Sequence, residues 1–129
     1  MTLLARDFES KAAFVEAVRG QTKGLALRVI ALHRELPPAE ESRVIGRQLL
    51  RSATSVAANY RAVCRARSAA EHFAKLCICV EEADETLFWL ELLTDANLVS
   101  PHRLDSLRED YDQLVAILAT ARKTAKKPS

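Results

Sequence analysis

Turn-forming and aromatic residues are scarce: 3 glycines, 4 prolines and 5% aromatics in 129 residues. A β-sandwich or barrel needs frequent turn chemistry and side chains that fill a pleated surface, so this shortage excludes both. No apolar run approaches the ~20 residues that a membrane-spanning helix needs, and Met1 to Ala5 lacks the basic start, apolar run and cleavage site of a secretory leader. The three cysteines, Cys64, Cys77 and Cys79, are an odd number with neither CxxC nor metal-ligand spacing. That predicts reduced core thiols in a cytoplasmic protein. Also missing are a Gly-rich phosphate loop, HExxH, a nucleophile elbow and the Glu-x-x-His pair of di-iron bundles. His33, His72 and His102 have no sequence partners for a metal site or a triad. The expectation is a protein without catalytic residues, cofactor or metal.

What is present forms helices. Ala, Leu, Arg and Glu dominate, all favourable in helix interiors, and the length suits one domain over residues 1–129. The first helix lies within Asp7 to Leu36, where Val18, Thr22, Leu25, Val29, Leu32 and Leu36 step by three or four residues. Gly20 and Gly24 weaken its middle, which leaves open a separate short helix within residues 1–20, from Phe8 to Arg19. Pro37 and Pro38 end the segment.

A second helix runs from Ala39 to Arg67, with Glu40 and Glu41 in the first turn. Ser68 to Glu71 has capping-box form and starts a third helix that reaches about Ala96. Its main apolar face is Phe73, Leu76, Val80, Ala83, Leu87 and Leu90. A second apolar set, Ile78, Trp89 and Leu92, is interleaved with Glu82 and Glu85. A helix apolar on two sides needs two neighbours, either another subunit or all-round burial within one chain. Asn97 and Leu98 close this helix. Ser100-Pro101 opens a fourth along Leu104, Leu107, Tyr111, Leu114 and Leu118. Residues 122–129 make a basic, frayed tail with Arg122, Lys123, Lys126 and Lys127. Short links between four helices predict an all-α, antiparallel up-down four-helix bundle.

The second helix carries the functional signal. At 100° per residue, Arg43, Arg47, Arg51, Arg61 and Arg65 fall within an arc of about 80°, a stripe about 33 Å long. Ile45, Leu49, Ala53, Val56, Tyr60 and Cys64 lie opposite. Ser52, Ser55 and Asn59 sit between the two arcs, and Asn59 suits a structural role such as fixing register. From Ala39 to Arg67 there are 6 basic and 2 acidic residues, net +4; from Ser68 to Val99 there are 1 and 7, net −6. The cation stripe therefore either pairs with the acidic helix that follows or meets a polyanion. A further pattern is EExxE at Glu81 to Glu85, followed after residues 86–108 by ExxD at Glu109 to Asp112. It resembles the magnesium site of all-α nucleoside-triphosphate pyrophosphohydrolases, in which paired carboxylates hold metal on phosphate oxygens.

The stretch RVIGRQLLRSATSVAANYRAVCRARSAAEHFAKL, followed by EEADETLFWLELL, resembles the four-helix-bundle family encoded in intervening sequences of bacterial 23S ribosomal RNA genes. The similarity covers roughly Leu25 to Leu118. It implies an antiparallel four-helix bundle assembled into a homopentamer, with a basic surface suspected of binding nucleic acid and no established catalytic activity. The accessory proteins of diversity-generating retroelements look like distant relatives. The family's motif arginines fall on Arg43, Arg47, Arg51, Arg61, Arg65 and Arg67, and its asparagine on Asn59. Where many members have Asn-Ile-Ala-Glu-Gly, this chain has Asn59-Tyr60-Arg61-Ala62-Val63, a departure that removes an acid and a flexible glycine.

Taken together, these features predict a non-enzymatic oligomeric bundle that binds RNA or DNA backbone through Arg43, Arg47, Arg51, Arg61, Arg65 and Arg67. Arg43, Arg47 and Arg51 come first because of their i, i+4 spacing. Ile78, Glu82, Glu85, Trp89 and Leu92 are the expected oligomer interface. One alternative is an interaction scaffold whose arginines are consumed in salt bridges. The other is the magnesium-dependent pyrophosphohydrolase.

Overall fold

A computed structural model describes residues 4–125, apart from the Arg6 side chain. After one 3-10 turn at Ala5–Asp7 come four helices: α1 (Lys11–Arg34), α2 (Glu40–Cys64), α3 (Ala69–Asp95) and α4 (Pro101–Thr124). There is no strand among the described residues. Each helix packs on the next, and α1 also meets α4, so a four-helix bundle closes around one core. No helix among them is long and apolar enough to cross a membrane. Lys126 and Lys127 of the expected basic tail lie outside the described residues, and α4 continues through Arg122 and Lys123.

Local chemistry sets the boundaries. The Ser10 hydroxyl accepts from the Ala13 N–H at 3.0 Å and caps α1, satisfying an N–H that has no partner within the helix. From there α1 runs unbroken, so the separate short helix entertained for residues 1–20 does not form. Two glycines lower helix propensity, but burial of Val18, Thr22, Leu25, Ala26, Val29 and Leu32 along one stripe outweighs that cost. The α2 helix stops at Cys64, slightly before the expected Arg67. Ser68 caps α3 through the Glu71 N–H at 3.1 Å, but the reciprocal half of the capping box is absent, because the Glu71 carboxylate lies 3.5 Å from Arg67. Asn97 has φ of 60°. Its N–H bonds to Thr94 and that of Leu98 to Leu93, the paired bonds of a Schellman stop. Ser100 makes no side-chain cap, and Pro101 provides the helical start.

The buried face of α3 is rotated from the one its hydropathy suggests. Leu76, Cys79, Ala83, Thr86, Leu90 and Leu93 are buried, while Phe73, Val80 and Leu87 are half-buried. The reason lies across the interface. Ser52 and Ala53 of α2 are fully buried, and their small size lets α3 approach most closely with its own small residues. Ser52 donates to the Leu49 carbonyl at 3.2 Å and accepts from Thr86 at 2.8 Å, so both hydroxyls are buried at little cost. Only one of the three cysteines is in the core: Cys79 is buried, Cys77 half-buried and Cys64 exposed, with Val63 taking the seam position. Burial pushes the Cys79 thiol up to about 12.

A methyl group added at Gly20 or Gly24 would meet nothing within 4 Å. Gly20→Ala and Gly24→Ala should therefore each stabilise the protein by up to about 1 kcal/mol, seen as a higher urea midpoint at unchanged slope. Tyr111 is fully buried and its hydroxyl has no partner among the described residues, so Tyr111→Phe should also be stabilising, by about 1 kcal/mol. A lower midpoint for Tyr111→Phe would reveal a hydrogen bond made through water.

Candidate nucleic-acid interface

The stripe arginines do not share one environment. Arg43 is exposed and lies 3.7 Å from Glu40 of its own helix. Arg51 reaches across to α3, where its guanidinium pairs with Glu82 at 3.0 Å and with Glu85. Arg65 is the C-cap of α2, and Arg67 stands in the link beyond it, 3.5 Å from Glu71. Arg47, Arg61 and Arg65 are exposed, and no carboxylate among the described residues comes within 4.0 Å of them. Exposed i, i+3 and i, i+4 pairs such as Arg43 with Glu40 are weak and easily exchanged for another anion. Arg51, pinned by two carboxylates, is the most committed to the fold. The Trp89 indole N–H, bonded to Glu85 at 2.9 Å, holds that carboxyl below its usual range against partial desolvation, with Arg51 adding to the effect.

Packing of α1 beside α2 adds cations that the stripe alone does not contain. Gly46 permits the close approach: a Cβ there would lie 2.8 Å from Leu36 Cδ1 and 3.1 Å from the His33 ring. Next to it, a cleft of about 610 Å³ has Ile30 and Leu50 in its wall, with His33, Arg34, Arg47 and Arg51 around them. Further along the same two helices a second cleft of about 290 Å³ is lined by Gly20, Ala57 and Ala58, with Arg19, Lys23 and Arg61. Glu16, which also lines it, is held by Arg19 at 2.5 Å. Arg19, Lys23 and Arg34 were not among the expected binding residues. Their signal is present in the sequence, since at 100° per residue they fall within about 60° of one another on α1.

The expected oligomer face is also divided. Ile78, Trp89 and Leu92 are half-buried on α3, while Glu82 and Glu85 are engaged by Arg51 of the same chain. The exposed aromatic beside them, Phe88, was not in the expected set; it is 50% accessible, and its ring packs edge-on against Trp89 with centroids 4.9 Å apart. Its signal in the sequence is its helical spacing from Glu81 and Glu85. Asn59 donates to the Ser55 carbonyl at 2.9 Å and to the Ser55 hydroxyl at 3.0 Å, so it braces its own helix. The EExxE and ExxD carboxylates do not converge. No group of three or more His, Cys, Asp or Glu among the described residues is arranged to hold a metal, and Asp110, between Glu109 and Asp112, pairs with Arg28 at 2.6 Å.

The comparisons with known proteins agree with this architecture. The family model for the 23S rRNA-intervening sequence protein matches residues 17–120. A crystal structure of a protein of unknown function from the S23 ribosomal protein family of Bacteroides thetaiotaomicron is 33% identical, with a TM-score of 0.77. The match covers 83% of this chain and 99% of that one. No curated protein matches the chain. From the family match over most of its length and the shared four-helix fold, the chain belongs to the 23S rRNA-intervening sequence protein family.

Proposed function

We propose that this protein is a non-enzymatic, antiparallel, homo-oligomeric bundle that binds the phosphate backbone of RNA or DNA along the α1–α2 groove. The observation that carries the reading is the pair of exposed arginines on the groove without a carboxylate partner among the described residues, Arg47 and Arg61, faced across it by Arg34 and Lys23, with Arg65 exposed at the end of α2. Such a row favours phosphates and is indifferent to sequence. No Phe, Tyr or Trp is among the described residues that line the groove, and its one aromatic ring is His33, beside Gly46, which favours backbone contact over base contact. An antiparallel arrangement is supported by the order of contacts. Val56 faces Cys79 while Ser52 faces Thr86, and Arg28 faces Asp110 while Glu35 faces Arg103. Assembly, a pentamer by family resemblance, is supported by the exposed Phe88 ring beside Trp89, an aromatic pair of the kind that anchors interfaces.

Arg47→Glu with Arg61→Glu should weaken RNA and duplex DNA binding at least tenfold and reduce the slope of log affinity against log salt by about 2. Equal binding by parent and double variant in filter assays at several salt concentrations would sink this reading. Phe88→Asp should lower the mass measured by light scattering without loss of helical circular dichroism.

A second reading, favoured by one specific contact, is a scaffold in which the arginines serve the fold. For Arg51 the pairing with Glu82 and Glu85 supports it. Arg51→Glu should then lower the urea midpoint by gathering three carboxylates, whereas Arg47→Glu should leave it in place. Glu85 links this to pH. Its folded carboxyl is held low, so its contribution is present above the ordinary value of 4.5 and is lost as pH falls through the depressed one. In Arg51→Glu the acid sensitivity arising from this pair should disappear. The pyrophosphohydrolase alternative finds no support in carboxylates that turn toward arginines; incubation with magnesium and mixed nucleoside triphosphates should release no pyrophosphate.

A further inference from the structure

At the end of the bundle formed by the start of α1, the end of α2, the start of α3 and the end of α4 lies a cleft of about 580 Å³. It shares no lining residue with the two basic clefts between α1 and α2. Its size falls within the roughly 300–1,000 Å³ of small-molecule sites. Phe14, Val15, Leu76 and Ile117 supply apolar wall, and no Asp or Glu among the described residues lines it. Lys11 is the cation among the described lining residues, and His72 adds a polar imidazole. Tyr60, another lining residue, is only 5% exposed, and its hydroxyl makes no hydrogen bond with any described residue. The Tyr60 hydroxyl is thus a donor that no protein group among the described residues engages, available to an acceptor that enters the cleft.

We infer that this cleft binds a monomeric anionic amphiphile, a carboxylate carried on an aliphatic chain. The chain lies against Phe14, Val15, Leu76 and Ile117, Lys11 supplies the countercharge, and the Tyr60 hydroxyl donates to the ligand. The charge asymmetry of the lining selects the anion: a cationic amphiphile of the same length would meet Lys11 and, among the described residues, no acid.

The test is calorimetric titration of the full chain with decanoate, decanol and decyltrimethylammonium, each below its micelle concentration. Decanoate should saturate one site per chain, decanol should bind about tenfold more weakly, as expected for loss of a charge-assisted contact, and the cation should not bind. Lys11→Glu should weaken decanoate about tenfold while leaving decanol unchanged, and Tyr60→Phe should weaken both. Ala116→Trp, at an exposed lining position, should fill the cleft and remove decanoate binding with helical circular dichroism intact. The inference is overturned by the absence of saturable decanoate binding, by equal affinity for the cation, or by Lys11→Glu and Ala116→Trp variants that bind decanoate as the parent does.

Discussion

Between α2 and α3 the Ser52 and Thr86 hydroxyls meet at 2.8 Å in a fully buried setting, and that contact requires a close approach of the two helices. Bulkier side chains at Ala53 or Ala83 would hold the helices apart and break it, leaving each hydroxyl only the carbonyl of its own helix, Leu49 for Ser52 and Glu82 for Thr86. The close approach fixes which face of α3 turns inward, and therefore which turns out. It draws Arg51 to Glu82 and Glu85, so the acidic helix neutralises one part of the basic stripe and leaves the rest. It also keeps the Phe88 ring at the surface and Trp89 against Glu85.

The electrostatics of the bundle follow from this. Arg51 is tied to α3 by two carboxylates, whereas Arg47 and Arg61 line the α1–α2 clefts, the first of which Arg51 also borders. On the α1 side the small residues Gly20, Ala57 and Ala58 keep the groove open, and basic side chains rise from both helices. Cations on two walls of a groove concentrate field more than a single row does. The arginine that ties α2 to α3, Arg51, is thus distinct from Arg47 and Arg61, which have no carboxylate partner among the described residues.

Much of the fold was legible in the residues. The seam of α1, the stop at Pro37-Pro38, the cap at Ser68 and the full buried set of α4 follow from spacing and turn chemistry alone. The departures have a common cause. Gly20 and Gly24 were weighed by propensity, but the continuity of α1 is decided by what the opposite face buries. Thr86 is polar for a core position until the Ser52 hydroxyl opposite it on α2 is known. Cys64 lies on the apolar arc of α2, but at the last residue of the helix the seam position falls to its neighbour Val63.

The candidate site shows the same division. The sequence alone determined that five arginines share one face of α2, that an acidic helix follows, and that Arg19, Lys23 and Arg34 share a face of α1, because helical periodicity makes these intrasegment facts. Only the tertiary structure decided that Arg51 belongs to Glu82 and Glu85 while Arg47 and Arg61 border a groove with α1. Ion pairs between helices depend on the distance and rotation of one axis against another, which are set by how small residues such as Ser52 and Gly46 allow the helices to approach.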